Sequence, residues 1–178
     1  IWEESVKKMT TNAIKAAEKS GGQLIYPGRV YKYGSTKNIT ETTPANPNSH
    51  QGRVLEQIEN KLEKAARDKK CAVKILRHGQ PYGPGLNDGL MGNNFRDMPL
   101  GKDFEWVART DIPLQVVFTP DYARAVILYS ELGTGSFDVL NYGGEKYPSI
   151  NVFGLLLNEG AGAISGKEFN FNPSVHSK

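Results

Sequence analysis

Residues 71–85 read Cys71-Ala72-Val73-Lys74-Ile75-Leu76-Arg77-His78-Gly79-Gln80-Pro81-Tyr82-Gly83-Pro84-Gly85. In the first half Ala72, Val73, Ile75 and Leu76 are nearly continuous and follow Lys69 and Lys70. That is the pattern of a strand covered on both faces, as in a parallel sheet. The second half predicts an end to the ladder. Pro81 and Pro84 lack amide donors, and Gly79, Gly83 and Gly85 relax the backbone, so the chain is expected to turn outward at the strand's carboxyl end. Open α/β sheets bind their ligands at that end.

The three glycines also imitate a nucleotide-binding loop, at G-x-x-x-G-x-G after a strand. A phosphate cradle runs straight into a helix whose free N–H groups face the anion. Here two prolines interrupt the loop and Leu86-Asn87-Asp88-Gly89 follows as another turn, so the phosphate reading is rejected.

Upstream, residues 52–69 predict a helix with Val54, Leu55, Ile58, Leu62, Ala65 and Ala66 on one stripe. Before it come a long polar loop over residues 29–51, a short strand over 23–26 ended by Pro27-Gly28, and a helix over 3–19. That first helix carries Val6, Met9, Ala13 and Ala17 at helical spacing and stops at Gly21-Gly22. Strand, crossover helix, strand is the order of a parallel unit. Downstream, Leu90, Met91, Phe95 and Met98 suggest a loose helix, and Phe104 with Trp106 a short strand. Residues 114–118 form another strand. Thr119, Pro120 and Asp121 then read as N-cap, first helical residue and first-turn acid of a helix buried through Ala123, Val126 and Ile127. A strand over 137–141 ends at Gly143-Gly144, and a helix over 149–159 buries Ile150, Phe153 and Leu157. Gly160, Gly162 and Gly166 read as a helix stop and linker, and residues 163–178 as a loose tail.

The 178 residues suffice for one domain or part of a larger one, and a sheet begun by a helix points to part of a longer chain. A hydrophobic content of 38% and a mean hydropathy of −0.48 describe a globular chain without the run of about 20 apolar residues that a membrane span needs. The formal charge of +3 comes from lysines and arginines interleaved with acids on the two amphipathic helices, which excludes a basic stripe for nucleic acid. His50, His78 and His176 are far apart and Cys71 is the single cysteine, so neither a metal set nor a disulfide framework exists. A reducing, cytoplasmic compartment is the expectation. Cys71 itself reads as a small core residue.

Five motifs follow in order: Tyr33-Gly34 after a strand, Glu41-Thr42-Thr43-Pro44 with Pro47, Arg77 through Tyr82-Gly83-Pro84-Gly85, Asp121-Tyr122-Ala123-Arg124-Ala125, and Asn141-Tyr142-Gly143-Gly144. In this order they resemble the extended short-chain dehydrogenase/reductases, the NAD-dependent epimerase/dehydratase family, over residues 3–162. The resemblance implies an α/β fold: the second half of a Rossmann-like parallel sheet with flanking helices, plus part of a small substrate lobe, in one domain over 1–162. It implies hydride transfer with NAD or NADP on a nucleotide-sugar or other small hydroxy/carbonyl substrate, and a homodimer packed through the 3–19 and 52–69 helices.

The family's acid/base tyrosine, the lysine four residues on and the substrate-holding serine do not carry over. Counted from Arg77 through Glu59, tyrosine and lysine fall at Gln51 and Leu55, or with a one-residue slip at His50 and Val54. The serine falls in Pro27-Gly28-Arg29-Val30. Literal Tyr-x-x-x-Lys matches at Tyr33 with Lys37 and Tyr142 with Lys146 lie in expected loops, where no helix aligns the side chains. Arg29 and His50, at or beside the vacated positions, are therefore the catalytic candidates. The resemblance sets Tyr26, Pro27, Gly28, Gln80, Pro81 and Tyr82 against the cofactor, and Arg77, His78, Gln80, Tyr82 and Asn87 against the substrate. For Arg77 the competing reading is an ion pair with a helix acid. Loss of the whole set also favours an alternative: a catalytically silent protein that binds a dinucleotide or small ligand as a sensor.

Overall fold

A computed structural model of the chain describes residues 1–87, 89–97, 100, 105–106, 109–133, 135–166 and 174–175. In chain order the elements are α1 (Trp2–Ser20), β1 (Gln23–Arg29), a 3-10 turn (Val30–Tyr33), α2 (His50–Arg67), β2 (Ala72–His78), β3 (Gln80–Tyr82), α3 (Gly89–Asp97), β4 (Glu105–Trp106), β5 (Leu114–Phe118), α4 (Thr119–Glu131), β6 (Phe137–Tyr142), β7 (Glu145–Tyr147), α5 (Ile150–Ser165) and β8 (Ser174–Val175). They divide into two compact units. One holds Ile1–His78 and Ala123–Tyr142, the other Gly79–Tyr122 and Gly143–Lys178.

The first unit is built on a parallel sheet in the order β1-β2-β6, with Leu24 beside Val73 and Val73 beside Phe137. Alternation along the strands sends Leu24, Tyr26, Val73, Ile75, Phe137 and Val139 to one face, where they meet Ile14 of α1 and the expected stripe of α2. Ser49 caps α2 by accepting from the Gly52 N–H at 3.0 Å. Gly21 ends α1 in the left-handed conformation at φ 66°.

The buried stripe of α1 differs from expectation. It runs through Thr10, Ile14 and Ala17, while Met9 is 69% exposed. Thr10 tolerates burial because its hydroxyl donates to the Val6 carbonyl at 2.8 Å. The expected face of α4 is also corrected: Ala123 and Ile127 are exposed and Tyr129 is buried.

The second unit carries a mixed sheet in the order β3-β5-β7, parallel between β3 and β5 and antiparallel between β5 and β7. The chain therefore resumes a ladder after Gly79, contrary to expectation, and Pro81 is accommodated because β3 is an edge strand of that sheet. Helix α4 begins at Thr119, whose hydroxyl donates to the Pro84 carbonyl at 2.7 Å. Helix α5 runs through Gly160 to Ser165 and reaches a left-handed glycine only at Gly166, φ 66°. A helical glycine costs about 1 kcal/mol and does not by itself stop a helix. Ser174–Val175 of the expected tail pairs in parallel with Glu105–Trp106. Met98 and Phe104 lie outside the described residues. Met91, Trp106, Val116, Ile150 and Phe153 form this unit's core.

Candidate functional site

The carboxyl ends of β1, β2 and β6 line up two rows of residues. Strand register puts Gly28, Arg77 and Asn141 abreast, and one residue further Arg29, His78 and Tyr142. Successive residues point to opposite faces, so the first row shares the face that packs against α2.

That first row is closed by a buried charge network. Glu59 of α2 accepts from Arg77 Nη2 at 2.8 Å and Nε at 3.1 Å, and from Lys32 Nζ at 2.8 Å. Arg77 Nη1 donates to the hydroxyl of Tyr33, a fully buried side chain. Burial raises the Tyr33 hydroxyl above its ordinary range, with Arg77 opposing the shift. Gly28 makes room for the network, because a Cβ there would lie 2.8 Å from Arg77 Cγ and 2.8 Å from Ile75 Cγ2. The Asn141 N–H donates to Glu41 Oε1 at 2.8 Å. The Asn141 side-chain amide is shielded from solvent and lies against the Tyr33 hydroxyl.

In the second row Arg29 Nη2 donates to the Tyr31 hydroxyl at 3.2 Å, and its guanidinium lies 5.3 Å from the centre of that ring. His78 is buried and Tyr142 half-buried.

The other candidates are spread through both units. His50 opens α2 with its side chain 68% exposed and Nε2 at 3.0 Å from Glu3 Oε2. No hydrogen bond or ion pair among the described residues joins it to Arg29. Val54, one of the two registers' lysine positions, is 2% exposed inside the core, and Leu55, the other, is buried beside it. Tyr26 is half-buried against the same core, with its hydroxyl raised by burial, and Pro27 is exposed. In the second unit Gln80 is half-buried, Pro81 is buried, and Tyr82 packs edge-on against Phe153 at 5.2 Å. Burial, then Glu145 and Asp121, raise the Tyr82 hydroxyl. Asn87 is exposed beyond β3. The Gly79-to-Gly85 loop offers no phosphate cradle at Gly83, whose Cβ position lies 2.7 Å from the Phe118 ring. No group of three or more metal-ligating side chains occurs among the described residues.

Two features escaped the sequence reading. Tyr31, two residues beyond Arg29 in the 3-10 turn, accepts from its guanidinium. Lys74 donates to the carbonyls of Tyr129, at 2.7 Å, and Leu132 at the end of α4, while Tyr129 donates to Asp138 at 2.9 Å. The signal for Lys74 was visible: a lysine inside an apolar run needs partners.

A three-stranded parallel sheet with helices and a smaller mixed-sheet unit make this a Rossmann-like α/β protein. Neither a protein-family model nor a curated protein matches the chain by sequence. Among solved structures it is similar to dTDP-glucose 4,6-dehydratase from Streptomyces venezuelae with NAD, at TM-score 0.76 and 19% identity over 99% of this chain and 55% of that one. It is likewise similar to UDP-glucuronic acid 4-epimerase from Bacillus cereus with NAD, at 0.74 and 20% over 93% and 54%. MoeE5 with UDP-glucuronic acid and NAD gives 0.75 and 20% over 93% and 56%. The fold is thus that of the NAD-dependent epimerase/dehydratase structures, and the chain spans about half of their length.

Proposed function

We propose that this chain is part of an NAD(P)-dependent epimerase/dehydratase-like oxidoreductase acting on a nucleotide-sugar or other small hydroxy/carbonyl substrate, with an atypical acid/base set. The observation that carries the reading is the likeness of nearly the whole chain to enzymes solved with NAD, two of them nucleotide-sugar epimerases or dehydratases by name. Arg29, Tyr26 and Pro27 stand at or near the carboxyl edge of the parallel sheet, the edge at which such folds bind ligands. Cofactor, when bound, supplies or accepts a hydride. This chain's residues would position substrate and move protons.

A second reading, a silent dinucleotide- or small-ligand-binding protein, is favoured by one observation: both lysine registers hold buried core residues, Val54 and Leu55. The full-length protein decides between them. NAD and NADP are titrated by calorimetry, and hydride transfer is followed with a panel including UDP-glucuronic acid and dTDP-glucose. Binding with turnover supports the oxidoreductase; binding without turnover supports the sensor; no binding defeats both. The reading extends to a cytoplasmic homodimer through α1 and α2, consistent with the exposure of Met9 on α1. No helix among the described residues is long and apolar enough to cross a membrane.

A further inference from the structure

Arginine carries only donors, so in the Arg29–Tyr31 contact the phenolic oxygen is the acceptor and its own proton remains available to a third group. Donation from a cation polarises that O–H and makes it a better donor. The turn that holds Tyr31 is fixed: its carbonyl accepts from the Gly34 N–H at 3.2 Å, and the start of α2 packs so closely that a Cβ on Gly52 would lie 2.5 Å from that carbonyl oxygen. The next two turn residues, Lys32 and Tyr33, are buried, while Tyr31 is exposed. Arg29 is abreast of His78 and Tyr142, so the pair stands at the carboxyl edge of the parallel sheet.

We propose that Tyr31 is a catalytic proton donor and acceptor at this edge, with Arg29 as its polarising neighbour, in place of the missing tyrosine–lysine pair. The inference rests on the oxidoreductase reading. In the reducing direction a hydride from reduced NAD(P) forms the C–H bond at a substrate carbonyl carbon as the C=O π bond breaks. The oxygen takes the Tyr31 proton, giving an alcohol and oxidised NAD(P), and solvent returns a proton to the tyrosine. The phenolate left behind faces the Arg29 guanidinium. Oxidation of an alcohol runs the same steps backwards.

The test uses the full-length protein and Tyr31→Phe. Turnover is expected to fall about 100-fold or more, the usual worth of a positioned acid or base, with NAD or NADP affinity within twofold of wild type. The calorimetric Kd for UDP-glucuronic acid, measured without added dinucleotide, is expected to rise about three- to tenfold from the lost hydrogen bond. Arg29→Met should lower turnover less and enlarge the solvent deuterium isotope effect, which a purely structural arginine would leave unchanged. Turnover of Tyr31→Phe within threefold of wild type overturns the proposal while leaving the oxidoreductase reading intact. A wild type that binds dinucleotide but transfers no hydride to any substrate overturns the proton role, and one that binds no dinucleotide defeats the underlying reading as well.

Discussion

Glu59 carries two cations, Lys32 and Arg77, inside a region where water cannot replace it. Removing one member of a buried ion pair costs about 3–5 kcal/mol, because the partner charge stays buried without compensation. Glu59→Gln is accordingly expected to lower unfolding free energy by about that amount, read from urea denaturation; a change under about 1 kcal/mol would mean the cations find other partners. The network explains why Arg77, a substrate candidate by resemblance, is held instead by a helix acid: its Nε and Nη2 face Glu59 and its Nη1 faces Tyr33. A helix acid as the partner of Arg77 was legible in the sequence, but Glu59 reads there as one of the interleaved charges of a solvated helix face and is instead buried, 4% exposed. Tyr33 and Lys32 were not legible, because a 3-10 turn gives no hydrophobic period to read.

Among the elements, α4 depends on a group supplied by a strand. Lys74 of β2 donates to the Tyr129 carbonyl in its last turn, where helix acceptors lack intrahelical partners, and to the Leu132 carbonyl just beyond it. Lys74→Met should cost about 1–3 kcal/mol and speed amide exchange in residues 128–131 more than in α2, by hydrogen-exchange mass spectrometry. Equal change in both helices would refute a local capping role. Tyr129, on the same face, has its hydroxyl held far above its ordinary value of 10.0, first by burial and then by the hydrogen bond to Asp138. The unfolded tyrosine releases its proton near pH 10 while the folded one retains it, so this contribution is complete below about pH 10 and is lost as pH climbs through the folded value. Stability should therefore fall above about pH 10, and Tyr129→Phe should flatten that fall in denaturation measured from pH 9 upward. Burial of Tyr129 in place of Ile127 explains the misjudged face of α4: the aromatic ring is held by a lysine cation 5.1 Å from its centre and by Asp138, contacts that no periodicity encodes.

At the scale of the molecule, the proposed homodimer makes a direct prediction. Met9 projects from α1 outside this chain's own core, so Met9→Glu should leave thermal stability nearly unchanged in the monomer and shift sedimentation of the full-length protein from dimer to monomer. A dimer that persists would assign the interface elsewhere. The sequence alone determined the parallel strands at 23–26, 71–77 and 137–141, the helices between and beside them, and the whole buried stripe of α2, because burial of apolar side chains follows periods of two and 3.6 residues that are written locally. Its expectation of ligand binding at the carboxyl end of β2 rests on the general rule for open α/β sheets. Only the tertiary structure decided that Gln80–Tyr82 leaves the first sheet to pair with Val116–Phe118, that 145–147 returns antiparallel beside it, and that Lys74 meets the end of α4. Those pairings join residues through backbone ladders and single polar contacts, whose partners are fixed by where the chain is brought in space and leave no periodic trace in the sequence.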